Sequence, residues 1–515
     1  MKRKIYSILF ILLATVTLFS LASCNAAPKS DAPNKEGFPQ APNNNNAVVL
    51  PENSPSEPDK GTNEDAPNKF VENPFIATDE NHKSTLSADV DTASYTYFRK
   101  LVNSGYSWQE LSRYSSNFRT EEFLNYFKYT AEQPGENELF SVNPVLLPCP
   151  WNENNVLLSM TLQAANATPT LGNNLVFLID VSGSMMSSDK LPLLKKTFSH
   201  LTDQLGENDI ISIVTYSGKE SVVLDGCTGN KKETILAAIN SLNASGSTNG
   251  EAGLQKAYQI AEKHRIEGGN NRIIMASDGD LNVGISSESA LKQYITQKRD
   301  AGIFLSVLGF GTGNYRDQKM ETLADNGNGV YLYVDGEGEA EKIFSTDLLA
   351  NLYTVAKDVK MQITFNKSYV ASYRLIGYEN RILNEEDFTD DTKDAGEVGA
   401  GHQITVCYEL RLADGARVDD AQWLELAVNY KLPDESTSVL ANLYNIGYAD
   451  YIKTPDADRA FMIAVIETCM LLHDSQYLPE DFDLDNILHS LNALDLSDYP
   501  ERAEFRTLLT KLNAK

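Results

Sequence analysis

The chain is poor in positive charge. Against 71 Asp and Glu it sets 44 Lys and Arg, a formal balance of −27 over 515 residues. That excludes the clustered cations needed to hold nucleic acid or an anionic lipid surface, so no nucleic-acid partner is expected. Cysteine is scarce as well. The five, at 24, 149, 227, 407 and 469, form no CxxC pair and no dense framework, which excludes a zinc ribbon and a disulfide-stapled miniprotein. The six histidines, at 82, 200, 264, 402, 473 and 489, show no ligand spacing, and HExxH is absent. Ser182 in Val-Ser-Gly-Ser-Met is not a nucleophile elbow. The run Gly309-Phe310-Gly311-Thr312-Gly313 lacks the spacing and the later acid of a dinucleotide fingerprint, and no Walker Gly-Lys-Ser/Thr occurs. An enzyme is therefore not expected. A metal-assisted hydrolase would need a general base or a second metal beside the ion, and Asp280 is the one candidate. What the chain does have is a hydrophobic content of 42%, enough for packed cores, and a length that fits two to four domains at roughly 100–200 residues each.

The first residues read as an address. Lys2, Arg3 and Lys4 precede an apolar run from Ile5 to about Leu21, the charge-then-apolar order of a secretory signal, although the run could nearly serve as an uncleaved anchor. Leu21-Ala22-Ser23-Cys24 decides between the two, because it resembles a bacterial lipobox. The resemblance implies removal of residues 1–23 and lipidation of Cys24, which would hold the protein at the extracytoplasmic face of the cell membrane. Residues 24–75 follow as a tether. Their Pro, Asn, Ala, Asp, Glu and Ser, with Asn43-Asn44-Asn45-Asn46, cannot bury enough apolar surface to offset chain entropy.

From residue 173 onward the pattern turns regular. Short apolar runs at 175–179, 210–216, 272–276, 303–310 and 330–334 predict strands, with an edge strand at 222–224. Helical patterns fill 191–205, 232–242, 251–264, 287–299 and 318–325, and a long helix is expected over Ala340 to Val359. Alternation of this kind implies right-handed crossovers and a mostly parallel sheet with helices on both faces. Ligands of such sheets sit beyond the carboxyl ends of the strands.

At those ends stand Asp180-Val181-Ser182-Gly183-Ser184 after one strand and Ser277-Asp278-Gly279-Asp280 after another. Gly246-Ser247-Thr248-Asn249-Gly250 lies in a loop between them. Asp180, Ser182, Ser184, Thr248 and Asp278 offer oxygen only, which suits a hard cation. Three hydroxyls with two carboxylates favour a small octahedral ion, Mg²⁺ or Mn²⁺, over Ca²⁺. Alternation in D-x-S-x-S turns every second side chain into one cup, with Gly183 expected to close the turn. Any one of these residues is commonly a cap or turn residue. The ordered set of five resembles the metal-ion-dependent adhesion site of the von Willebrand factor type A (VWA) domain, over roughly 173–355. That resemblance implies direct metal binding by Ser182, Ser184 and Thr248, with Asp180 and Asp278 acting mainly through water. It further implies a partner protein whose Asp or Glu carboxylate completes the shell. Asp280 and Asn282 add oxygen nearby, but Asp278-x-Asp280-x-Asn282 fails as an EF-hand, so these two are expected either to lie behind the ligands or to be loop residues.

The flanks carry Ser87-Ala88-Asp89-Val90-Asp91-Thr92-Ala93-Ser94-Tyr95, Phe118-Arg119-Thr120-Glu121-Glu122-Phe123, Pro148-Cys149-Pro150-Trp151 and Asp391-Thr392-Lys393-Asp394-Ala395-Gly396-Glu397. Together they resemble bacterial lipoproteins that carry a VWA domain between two family-specific regions. Alternating strand patterns at 140–147, 156–163, 361–365, 373–378, 404–412 and 423–430 lie on both sides of the α/β segment. The expected fold is thus α/β: a Rossmann-like VWA domain inserted into a β-sandwich, with a C-terminal helical pair at 459–472 and 501–512. The expected boundaries are 76–170 for the N-terminal flank, 171–357 for the VWA domain, 358–435 for the rest of the sandwich and 436–515 for the helical region. Asp89, Asp91, Glu121 and Glu122 are candidates for a second cation site, or else caps and solvated faces. Cys149 and Cys407 either pair or remain buried thiols. The functional expectation is a surface-anchored, metal-dependent protein-binding module for adhesion or assembly. The alternatives are an envelope scaffold with a purely structural ion, or a metal-dependent hydrolase.

Overall fold

In the computed structural model, residues 70–514 are described apart from 167–170, 248–249, 280–287, 312–316, 348–349, 351, 415, 417–421, 434 and 442. Strands are numbered in chain order: β1 Ile76–Ala77, β2 Lys83–Ser87, β3 Phe140–Pro148, β4 Asn155–Ala164, β5 Asn173–Asp180, β6 Ile210–Tyr216, β7 Glu220–Thr228, β8 Asn270–Ser277, β9 Phe304–Phe310, β10 Tyr331–Val334, β11 Thr354–Phe365, β12 Val370–Ile376, β13 Ile382–Leu383, β14 Gly396–Gly399, β15 Gln403–Leu412, β16 Gln422–Lys431, β17 Val439–Leu440 and β18 Tyr444–Gly447.

The inserted domain is a six-stranded sheet in the order β10-β9-β8-β5-β6-β7. Every neighbouring pair is parallel except β6 with β7, which is the antiparallel edge. The central strand β5 is buried throughout, as its unbroken apolar run requires. Its side chains alternate. Leu175, Phe177 and Ile179 pack with Leu194, Phe198 and Leu201 of the helix Leu191–Gln204 on one face. Val176 and Leu178 join Leu254, Ala257 and Ala261 of the helix Gly250–Lys263 on the other. Pro192 at the start of Leu191–Gln204 sits where its missing N–H costs nothing.

Around this domain the flanks fold back on each other. One sheet runs β1-β12-β15-β4-β3. The second runs β13-β2-β11-β16-β17, with β14 paired to β11 and β18 to β16. Leu158, Met160 and Leu162 from β4 meet Met361, Ile363 and Phe365 from β11 in the sandwich core, around Trp423 and Tyr408. Strands from before and after the VWA segment are thereby hydrogen-bonded neighbours, β4 with β15 and β2 with β11. The inserted arrangement holds.

Two expectations are corrected. The segment from Ala340 to Val359 is not one helix: Glu337–Glu341 is helical, Lys342–Thr346 forms a π-turn, and Thr354 already begins β11. Pairing decides it, since Thr354 and Ala356 lie opposite Gly399 and Val398, and Lys357 opposite Lys431. Second, the C-terminal helices number three among the described residues: Ala457–Leu472, Leu484–Asn492 and Pro500–Asn513. The middle one buries only Leu484, Ile487, Leu488 and Leu491, a stripe too short to stand out in the sequence. Among the described residues no helix is long and apolar enough to cross a membrane.

Candidate metal centre

β5 and β8 are adjacent, and their carboxyl ends bring Asp180 and Asp278 to one sheet edge. Asp180 is the last residue of β5. Its Oδ1 accepts the Ser182 backbone N–H at 2.8 Å, which folds the loop back over the strand end. The Ser182 and Ser184 hydroxyls then lie 2.9 Å apart and share a hydrogen bond. Gly183 donates its N–H to the Gly246 carbonyl at 3.0 Å, and Ser245 donates to the Val181 carbonyl at 2.7 Å. The loop leading to Thr248 is thereby docked on the D-x-S-x-S loop. Gly183 is not among the residues with positive φ, so the turn does not depend on glycine's left-handed freedom as expected.

Asp180, Ser182, Ser184 and Asp278 are therefore brought together. Thr248, Asp280 and Asn282 lie outside the described residues. Asp180, Ser182 and Asp278 are almost fully buried, whereas Ser184 is half-exposed at the mouth. Burial pushes the Asp180 carboxyl up to about 6; the Ser182 amide opposes that shift and the negative charge of Asp278 adds to it. Its Oδ2 is buried with no partner at hydrogen-bond geometry, although the Tyr216 hydroxyl stands near enough to influence it. Burial, reinforced by Asp180, holds that hydroxyl firmly protonated. A buried carboxylate oxygen with a single, poorly aligned hydroxyl beside it keeps unused acceptor capacity. A cation, or a water bound to one, would satisfy it. The donor set fits a hard divalent ion.

Sequence reasoning missed one charged neighbour. Lys190, at the start of the helix Leu191–Gln204, donates from Nζ to Asp278 Oδ2 at 2.7 Å and to the Ser184 carbonyl at 3.0 Å. Its one sequence signal is its place six residues after Ser184, as the one positive charge between Asp180 and Leu194.

The second candidate cation site does not form. Asp89 and Asp91 turn to Arg381, at 3.2 and 3.7 Å. Glu122 pairs with Arg119 at 2.7 Å and accepts the Ser94 N–H, and Glu121 accepts the Tyr378 N–H at 2.8 Å. Arginine and backbone donors take up Asp89, Asp91 and Glu122 and one oxygen of Glu121, whose Oε1 is buried without a partner, and among the described residues no group of three His, Cys, Asp or Glu is placed to hold a metal. Cys149 and Cys407 are free and buried, so the pairing alternative is set aside.

Comparison with known proteins gives the family of the chain. The von Willebrand factor type A domain model matches residues 174–346, a von Willebrand factor model matches 61–159, and the C-terminal model of the uncharacterized protein YfbK matches 350–514. The chain is 38% identical over 437 residues to YfbK of Escherichia coli, a match covering 80% of this chain and 74% of that protein. The chain belongs to the YfbK family of VWA-domain proteins. A more distant similarity, 27% over 187 residues, joins it to human inter-alpha-trypsin inhibitor heavy chain H3, covering 35% of this chain and only 21% of that protein. Among solved structures, a von Willebrand factor type A protein from Catenulispora acidiphila aligns at 14% identity, over 75% of this chain and 89% of that one, with a TM-score of 0.41. VWA domains typically mediate protein–protein interaction, and neither YfbK nor the inhibitor heavy chain is named as an enzyme.

Proposed function

We propose that this YfbK-family protein is an extracytoplasmic recognition module, held to the cell membrane by lipid on Cys24. Its VWA domain would engage an Asp or Glu carboxylate of a partner protein through Mg²⁺ or Mn²⁺. The observation that carries the reading is the meeting of Asp180, Ser182, Ser184 and Asp278 at one sheet edge, where the hydroxyls of Ser182 and Ser184 lie 2.9 Å apart and Asp180 Oδ2 is buried with only the Tyr216 hydroxyl beside it. Ser182 and Ser184 would hold the ion directly, Thr248 would join them from the facing loop, and Asp180 and Asp278 would act through bound water. A divalent ion held mostly by neutral hydroxyls supplies an electrophilic point that prefers an anionic ligand. The hydroxyl pair fixes the donor spacing. Burial of the two carboxylates keeps solvent from screening their charge. The hydrogen bonds that hold residues 180–184 leave little there to reorganise on binding.

Leu21-Ala22-Ser23-Cys24 behind an apolar run supports lipidation, and the acidic, proline-rich stretch after it would act as a spacer. Capture of partners from envelope extracts, in Mg²⁺ and again in EDTA, tests the function. Retention in Mg²⁺ that is lost in EDTA and in Asp180→Ala supports it. Capture that survives both treatments contradicts it.

A further inference from the structure

Lys190 is an unusual neighbour for a cation site. It is 8% exposed, and its ammonium sits on Asp278 Oδ2 at 2.7 Å and on the Ser184 carbonyl at 3.0 Å. Both acceptors belong to the residues that would surround a metal. Its stem has a built path. Gly311, directly after β9, has φ +76°, and a Cβ there would lie 2.3 Å from Lys190 Cε and 2.9 Å from Cγ. The Gly311 carbonyl is itself held by the Tyr333 hydroxyl at 2.7 Å. Only glycine leaves room for the lysine there, and glycine also adopts that φ without strain. The ammonium is thus placed by design of the surrounding strand ends, and is not a surface side chain that happens to reach inward.

The charge count gives the consequence. Asp180 and Asp278 bring two carboxylates to the site, and Lys190 offsets one of them. We propose that Lys190 is an internal counter-cation that weakens the metal affinity of the site, so that the ion is held firmly only when an anionic ligand arrives with it. The inference rests on the metal-dependent reading above. A divalent ion drawing on Asp278 competes with an ammonium already bonded to that carboxylate, and the two like charges repel across a buried, weakly screened gap. A partner's carboxylate adds the negative charge that relieves the repulsion. Ion and acidic ligand then favour each other's binding reciprocally, as linkage requires.

Calorimetric titration of the full chain with Mg²⁺ and with Mn²⁺ tests this, using Lys190→Met, Lys190→Gln and Lys190→Arg beside the unaltered protein. Melting curves confirm that each variant folds. Removal of the charge in Met and Gln is expected to tighten ion binding by about tenfold or more, the scale on which one adjacent charge shifts an equilibrium. Arginine keeps the charge and is expected to keep the weak affinity. A lysine that served only packing would leave ion affinity unchanged or lower it on removal. Equal or weaker binding in Met and Gln, with the unaltered protein still binding, overturns this proposal alone. No ion binding by any of the four chains overturns the metal-dependent reading, and this proposal with it. If Met fails to fold, the Gln and Arg pair gives the same contrast.

Discussion

Arg99 clasps Asp335 with two parallel hydrogen bonds, Nε to Oδ2 and Nη2 to Oδ1, each 2.7 Å long. The arginine lies in the N-terminal flanking helix Ala93–Asn103, and the aspartate follows β10 of the inserted domain. Nη2 also reaches Glu339 at 2.7 Å, and Nη1 reaches the Tyr126 hydroxyl at 2.7 Å. Nη1 also reaches the more exposed Glu504 at 3.1 Å, and removing the guanidinium leaves the buried Asp335 and Glu339 without this cation in a poorly solvated seam. Arg99→Met is expected to cost about 3–5 kcal/mol in urea unfolding. Arg113→Ala on the exposed surface should stay within roughly 0.5 kcal/mol. A loss below about 1 kcal/mol for Arg99→Met would show that this clasp does not tie flank to domain.

Glu467 makes a distinct pH signature. It lies inside the buried helix Ala457–Leu472, and burial pushes its carboxyl up from the ordinary 4.5 to about 8. Between those values the folded chain keeps a proton that the unfolded chain releases. Stability from this group is therefore complete below pH 4.5 and is lost as pH rises through about 8. Glu467→Gln should flatten the decline and raise stability at pH 8.5, measured as denaturation midpoints from pH 5 to 9. An unchanged slope would mean that the carboxyl is solvated.

The cysteines predict a chemical outcome. Cys149, Cys227, Cys407 and Cys469 are free and buried. Burial pushes the Cys407 thiol up to about 12 and raises those of Cys149 and Cys469. Buried thiols that stay protonated attack disulfides slowly. Native protein should therefore label slowly at Cys149, Cys407 and Cys469, and urea-unfolded protein completely, as read by peptide mass mapping. A peptide pair linking Cys149 to Cys407 would contradict this.

Ion binding should also appear as stability. A ligand that binds only the folded chain adds about 2.7 kcal/mol at ~100 times its dissociation constant. The melting temperature is expected to rise with Mg²⁺ concentration, and Asp180→Ala should abolish the rise. A shift of equal size in the variant would place the ion elsewhere.

Much of the architecture was legible because strands buried on both faces leave continuous apolar runs. The stretch at 210–216 is a strand over those same residues, and the flanking strands read as partners because their alternation matched on both sides. Legibility failed where distant pairing overrides local pattern. Leu349, Leu352 and Val355 continue a helical spacing, yet β14 and β16 draw the chain into a strand from Thr354. The D-x-S-x-S cup was visible because its oxygens are neighbours in sequence. Lys190 was not, because a lysine ahead of a helix reads as solvent-facing and its carboxylate partner lies 88 residues away. Asp89 and Asp91 invited a metal reading for a similar reason, since Arg381, which claims them, is 292 residues from Asp89.

The most direct measurement is Mn²⁺ binding followed by electron paramagnetic resonance, in which bound Mn²⁺ leaves the free-ion signal. The account predicts one Mn²⁺ per folded chain, displaced by Mg²⁺ and lost in both Asp180→Ala and Ser184→Ala. A full free-ion signal at every ratio, or one bound ion indifferent to both substitutions, would contradict it.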